Sequence, residues 1–158
     1  MTTYKNLSDS VVAKIDDDGI SLMSCSVEHP EYLAWLADGN TPEPAFTPEE
    51  LAAQRWEQIK HLRDELTDNG GCLVGDKWFH SDTKSKQQQM ALVMLGANIP
   101  AGLQWKTMDG TFTTMTQTLA GQLFGAQVAR EQAIFTHAEM LRADPDADIT
   151  QGWPERFA

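Results

Sequence analysis

The sequence predicts an α+β fold, arranged as a small helix–hairpin–helix–hairpin–long helix module, and three observations carry that prediction. Pairs of short β-prone runs close around Gly75-Asp76 and around Asp109-Gly110, both turn-forming dipeptides. Helical periods start at residues suited to capping: Thr47, Ser81-Asp82 and Thr116. A Pro-stiffened stretch, Thr41-Pro42-Glu43-Pro44-Ala45, separates these elements from what precedes them, because a residue before proline is pushed out of the helical region. The expected organisation is an N-terminal arm over residues 1–46, a compact domain over 47–143 and an irregular acidic tail over 144–158.

In the arm, Val11-Val12-Ala13-Lys14-Ile15 and Ile20-Ser21-Leu22-Met23 flank Asp16-Asp17-Asp18-Gly19 and predict a small hairpin. The three aspartates do not predict a calcium loop, since such a loop alternates its ligands and needs a later Glu. Pro30 to Ala37 predicts a short helix stopped by Gly39-Asn40, with Tyr32, Leu33, Trp35 and Leu36 on its apolar side.

The next helix has an unusually complete start. Thr47 and Glu50 form a capping box, Pro48 fits the first helical position, and Phe46 and Leu51 have hydrophobic-staple spacing. It should run to about Thr67 with Ala52, Trp56, Ile59, Leu62 and Leu66 on one face, and Asn69-Gly70-Gly71 should end it. Cys72-Leu73-Val74 and Lys77-Trp78-Phe79 then flank Gly75-Asp76, which predicts a type II′ hairpin. A helix from Thr83 to Leu95 is polar first and apolar from Met90 onward, so it should enter at the surface and finish in the core. Asp109-Gly110 predicts a two-residue type I′ turn that pairs Thr107 with Phe112 and Trp105 with Thr114, putting Trp105 and Phe112 on one face. The last helix, capped by Thr116, should reach about Ala143, a length of ~40 Å at the helical rise. Its stripe of Leu119, Leu123, Phe124, Val128, Ile134, Phe135 and Leu141 looks too long for the domain to cover, so part of it should project and seek a partner helix.

Composition excludes several classes. The 158 residues carry a formal charge of −11, and residues 1–46 hold two lysines against eight acids, which argues against gripping nucleic-acid phosphates. No stretch is apolar enough to span a membrane, and Met1 to Asn6 has no signal-peptide character, so a soluble protein without membrane insertion is expected. Cys25 and Cys72 stand alone and read as reduced or buried thiols. His29, His61, His80 and His137 share no ligand spacing, so no metal is expected. His80, Ser81 and Asp82 are consecutive and cannot adopt the geometry of a hydrolase triad. No glycine-rich phosphate loop or dinucleotide fingerprint occurs; no catalytic residues and no cofactor are expected, and the protein does not read as an enzyme. Of five tryptophans, Trp56, Trp78 and Trp105 should knit the core, leaving Trp35 and Trp153 as docking candidates.

Two segments carry a family resemblance. Gly75-Asp76-Lys77-Trp78-Phe79-His80-Ser81-Asp82-Thr83, followed by Ile99-Pro100-Ala101-Gly102-Leu103-Gln104-Trp105-Lys106-Thr107-Met108-Asp109-Gly110, resembles a domain-of-unknown-function family common in tailed-bacteriophage tail proteins. That resemblance reaches from Trp56 to about Phe135. Glu31-Tyr32-Leu33-Ala34-Trp35-Leu36-Ala37-Asp38-Gly39-Asn40-Thr41-Pro42-Glu43-Pro44 is similar to the linker motif preceding such domains in tail and tail-fibre-associated proteins. The resemblance implies a structural or adaptor protein of the tail region, located in the virion tail after assembly in the host cytoplasm, with other tail or tail-fibre proteins as partners. A tail-fibre assembly chaperone is the alternative, and an envelope glycan-binding or glycan-cleaving protein a remote third. Expected interface residues are Tyr32, Leu33, Trp35, Leu36, Phe135, Leu141 and Trp153, with homo-oligomerisation through the long C-terminal helix.

Overall fold

The structure, a computed structural model, describes residues 3–157; Met1, Thr2 and Ala158, which end the expected arm and tail, lie outside the described residues. It is an α+β protein that falls into two compact units, Met1–Ala53 and Gln54–Ala158.

In the first unit, β1 (Thr3–Asn6), β2 (Val11–Ile15) and β3 (Ser21–Ser26) form an antiparallel meander in that order, with α1 (Pro30–Ala37) following. The sequence predicts only the β2–β3 hairpin. β1 is short and mostly polar, and it becomes a strand through its two neighbours. Tyr4 lies opposite Lys14 and Asn6 opposite Val12, while on the other side Glu43 accepts from the Asn6 amide at 2.9 Å and donates to the Tyr4 carbonyl at 2.8 Å. The Pro-rich stretch is therefore more than a spacer: it bridges the β1 edge in parallel. Asp16 builds the β2–β3 turn, its Oδ1 accepting from the amides of Asp18 and Ile20, while Gly19 takes φ +78°. Beyond the turn Ile15 opposes Ser21, so Leu22 is skipped and regular pairing runs from Met23 to Ser26.

Tyr4, Val12 and Tyr32 are the buried centre of this unit. His29 caps α1, its Nδ1 facing the Glu31 amide at 3.4 Å, and Gly39 at φ +86° lets the chain leave the helix.

The second unit is organised by its last helix. α2 (Pro48–Asn69), which begins in the first unit and runs into the second, opens with the expected capping box: the Thr47 amide donates to Glu50 Oε2 at 2.8 Å, and the Glu50 amide to Thr47 Oγ1 at 3.2 Å. Phe46 and Leu51, spaced as a staple, both remain exposed. β4 (Cys72–Val74) and β5 (Lys77–Phe79) form a hairpin with Gly75 at φ +64°, as a type II′ turn requires of its first central residue. α3 (Thr83–Leu95) is capped by Asp82 and leads through a 3₁₀ turn, Gly96–Asn98, to a second hairpin of β6 (Gln104–Lys106) and β7 (Phe112–Thr114). α4 (Gln117–Ala143) begins at Thr116, whose Oγ1 accepts from the Leu119 amide.

Three expectations about these elements are corrected. The β6–β7 register is one residue off: Trp105 opposes Thr113 and Lys106 opposes Phe112, so Trp105 and Phe112 fall on opposite faces, and Phe112 is exposed. The cause is the turn. Only Gly110 has positive φ, and the Gly110 amide bonds the Thr107 carbonyl, which makes a three-residue loop. Asp109 stays in ordinary backbone space and turns its Oδ1 onto Thr107 Oγ1, the Thr111 amide and Thr111 Oγ1 at 2.6, 2.9 and 2.7 Å.

α3 does not finish in the core. Gln89 and Leu92 are buried, whereas Met90, Met94 and Leu95 are exposed, Met94 at 82 %. Gln89 is tolerated inside because its Nε2 donates to the His80 carbonyl at 3.1 Å and its Oε1 accepts from Gln127.

Nor does α4 project bare. Ala120, Leu123, Gln127, Ile134, Ala138 and Leu141 are buried along its whole length, against the hairpins and α3 at one end and Ile59 of α2 at the other. Much of the expected stripe, including Phe124, Val128 and Phe135, instead faces outward.

Two measurements test this account. The hydrogen bonds from Thr107 and Thr111, with Lys77 beside them, hold the Asp109 carboxyl well below the ordinary range. A carboxylate with depressed folded pKa contributes stability above its unfolded value and loses it on acidification, so Tm should fall as pH drops through about 4 and below. Asp109→Asn should lower Tm at neutral pH and make the remaining acid-induced loss shallower, read by thermal melts across pH. For the buried amide pair, Gln89→Ala should cost about 1–3 kcal/mol in urea denaturation by orphaning Gln127 and the His80 carbonyl. Replacing both glutamines by leucine should cost less than the two single changes summed.

Candidate docking surfaces

Several side chains that could suggest chemistry have structural partners. Ser81 is buried and its Oγ accepts from the Gly71 amide at 3.0 Å, while Asp82 caps α3 through the Ser85 amide and hydroxyl at 3.0 and 2.6 Å. The His80 carbonyl holds Gln89, and the ring of His137 lies edge-on to Trp153. Cys25 and Cys72 are free thiols, and burial pushes the Cys72 thiol up. Among the described residues no three His, Cys, Asp or Glu side chains group as a metal site would require. Among the described residues no helix is long and apolar enough to cross a membrane.

The expected interface residues separate into packed and exposed sets. Tyr32 is buried, its ring 5.0 Å from Tyr4 and 6.1 Å from Trp35, and Trp35 lies 5.0 Å from Tyr4. Tyr4 and Tyr32 belong to the core of the first unit with Val12, and Trp35 and Leu36 pack half-buried at its margin. Of Tyr32, Leu33, Trp35 and Leu36, Leu33 is the one that is exposed. Burial also leaves the Tyr4 hydroxyl without a hydrogen-bond partner and pushes its pKa up.

Leu141 is buried against Ile59 and Ala138. Trp153, expected free in an irregular tail, packs on the same cluster with Ala147 and Ile149, and its Nε1 donates to the Ile149 carbonyl at 2.7 Å. The tail has no regular secondary structure but is firmly held. Arg55 Nη2 donates to the Asp144 and Ala147 carbonyls at 3.0 and 2.7 Å, and His137 Nε2 donates to the Gln151 carbonyl at 2.8 Å. Arg130 Nη2 donates to the Glu155 carbonyl, and the Phe157 amide donates to the Gly70 carbonyl. Gly152, at φ +82°, passes so close to His137 that a Cβ would meet the ring at 2.6 Å. Sequence reading missed this strap because its hydrogen bonds run mainly to backbone carbonyls, which residue identity does not disclose.

One group of exposed apolar side chains lies along α4. Phe124, Val128, Phe135 and Met140 are exposed, and Phe135 carries the Arg63 guanidinium 4.9 Å above its ring. Between them run Gly121, Gly125, Ala129 and Ala133 at four-residue spacing, and a Cβ added at either glycine would meet nothing. An open groove of about 550 Å³ continues this surface, lined by Ala129, Ala133, Thr136 and Met140 of α4 and by Gly152 and Pro154 of the strap. From Gln117 to Thr136 the only charged residues are Arg130 and Glu131, and both are engaged, Arg130 with the Leu66 and Glu155 carbonyls and Glu131 with Lys86. Over this stretch of about 30 Å, α4 itself thus adds no unengaged charge to its outer face.

Residues 50–152 match the domain of unknown function DUF4376. The chain belongs to that family. No curated protein matches it. No solved structure matches it either. The DUF4376 region takes in α2 from its first turn, both hairpins, α3, α4 and the strap as far as Gly152.

The strap yields a prediction. Trp153→Ala should destabilise the second unit by roughly 2–4 kcal/mol in chemical denaturation, as removal of a packed aromatic does, and should speed proteolysis after Ala143. A residue serving only as an external anchor would leave both measurements unchanged.

Proposed function

We propose that this DUF4376 protein is a structural or adaptor component of a bacteriophage tail, present in the virion tail or its fibres after assembly in the host cytoplasm, and that it works by protein–protein docking without catalysis. The phage assignment is supported by the resemblance of Gly75–Gly110 and of Glu31–Pro44 to tail-region sequences. The docking assignment is carried by one observation, the outer face of α4 between Gln117 and Thr136, with Phe124 and Val128 exposed on it and no unengaged charge of its own. At a net charge of −11, surfaces of this chain generally repel one another and other acidic proteins. A long neutral apolar face is where another protein can approach without that penalty. Its occupant on this reading is another tail or tail-fibre protein, and the same helix serves homo-oligomerisation when a second copy takes that place. The acidic charge supports a role without nucleic-acid contact.

Mass spectrometry of purified virions tests the assignment. Near-stoichiometric presence beside tail proteins is expected. Absence from virions whose fibres still need the protein to fold would make it a dissociating assembly chaperone instead. Val128→Asp, on the exposed side of α4, should leave Tm within a few degrees of the parent and abolish co-purification with the tail partner, whereas retained co-purification would remove α4 from the interface.

A further inference from the structure

The two edges of the first unit's sheet are treated differently. The outer edge of β1 is taken by Glu43, which bonds the Asn6 amide and the Tyr4 carbonyl. β3 is the last strand on the other side, and no strand lies beyond it. Since Tyr4 and Asn6 face outward from β1, Lys5 faces β2; alternation then turns Val12 and Lys14 of β2 toward β3, opposite Cys25 and Met23. The amides of Ser24 and Ser26 and the carbonyl of Ser24 consequently point away from the sheet, while the Ser26 carbonyl accepts from the His29 amide at 2.9 Å. Sheet edges in stable monomers are usually blunted by lysine, proline or a covering segment. β3 runs Ser21-Leu22-Met23-Ser24-Cys25-Ser26, without charge or proline, and Ile20, Leu22 and Met23 beside it are exposed at 62, 57 and 42 %.

We propose that the β3 edge is a strand-addition site that takes an extended, uncharged segment flanked by basic residues, supplied by a partner protein. The charge at the two ends of the strand decides the occupant. Asp16, Asp17 and Asp18 precede it and Glu28 follows it, so an incoming strand lies between acidic ends. A second copy pairing antiparallel would place its aspartates beside Glu28 and Glu28 beside its aspartates, a repulsive arrangement at both ends. A segment with Lys or Arg on both sides is attracted at both, with exposed Leu22 and Met23 offering apolar contact to alternate side chains. This inference deepens the docking reading above by adding a second surface and rests on that reading for its biological setting. Its assay contains no tail protein, so either can fail alone.

The test uses the full chain and two synthetic peptides with the same alternating valine–threonine core, one flanked by lysines and the other by glutamates. Fluorescence polarisation should give saturable binding of the lysine-flanked peptide and binding at least about tenfold weaker for the glutamate-flanked one, the difference shrinking at high salt. Hydrogen exchange should slow at Ser24 and Ser26 on binding. Ser24→Pro removes an outward amide that no strand uses, so it should abolish binding while the melt is unchanged. Should that variant unfold, the double variant Asp18→Lys, Glu28→Lys supplies the same test by reversing the peptide preference. Equal affinity for both peptides, binding that survives Ser24→Pro, or slowed exchange arising from self-association in the absence of peptide would overturn the proposal.

Discussion

The second unit depends on one stripe of α4. Ala120, Leu123, Gln127, Ile134, Ala138 and Leu141 recur at spacings of three, four or seven residues, so a single helical face meets the two hairpins, α3 and α2 in turn. Two small apolar clusters that would be marginal alone are thereby joined by a rigid rod. Near its middle Arg130 reaches across to the Leu66 carbonyl at the end of α2 and to the Glu155 carbonyl of the strap. Gly70, with no side chain, leaves room for that guanidinium. Packing along the stripe and hydrogen bonding at its midpoint fix the helix rotation together, and the rotation decides which residues are left outside.

That rotation is where sequence reading and structure part. Choosing the largest apolar residues of the last helix groups Phe124, Val128 and Phe135 with Leu123 and Ile134. The structure buries two alanines and a glutamine instead and turns those three side chains outward. The glutamine is the decisive member, because Gln127 is buried only by virtue of its bond to Gln89, and Gln89 only by virtue of the His80 carbonyl. Pairs of this kind are invisible to a pattern that assigns polar residues to the surface. Close helix packing favours the alanines, whose small side chains let the neighbouring elements approach.

Local chemistry, by contrast, was legible. The capping box at Thr47, the caps at Asp82 and Thr116 and the positive-φ glycine at Gly75 depend on residues within a turn of one another, and each forms as expected. Failures came where the decision is non-local. β1 exists through β2 and the Glu43 bridge, and the strap through carbonyls presented by distant helices. The register of β6 and β7 is the exception, a local decision: it turned on whether Asp109 would adopt positive φ, and three hydrogen bonds to its carboxylate from Thr107 and Thr111 favoured the wider loop. The expected interface residues follow the same division. Tyr32, Leu141 and Trp153 were selected for being large and apolar, the property that also draws a residue into its own core.

The outward side of α4 then presents a question of energy. Gly121 and Gly125 sit in the helix interior, where each glycine costs roughly 1 kcal/mol relative to alanine. Glycine is favoured in such a position when a neighbour approaches too closely for a Cβ, the constraint that Gly152 meets outside any helix against His137. Neither α4 glycine has such a neighbour: the space a Cβ would fill is open. With Phe124 and Val128 exposed alongside and no unengaged charge of the helix itself from Gln117 to Thr136, the helix retains two destabilising residues without an intramolecular reason. A protein seated on α4 under the proposed docking supplies one, since its backbone could then approach the helix at Gly121 and Gly125 more closely than any side chain permits. The glycines would be costly in the free chain and useful in the complex, which also explains why the sequence spends its large apolar residues on the outside of a helix whose inside is lined partly with alanine.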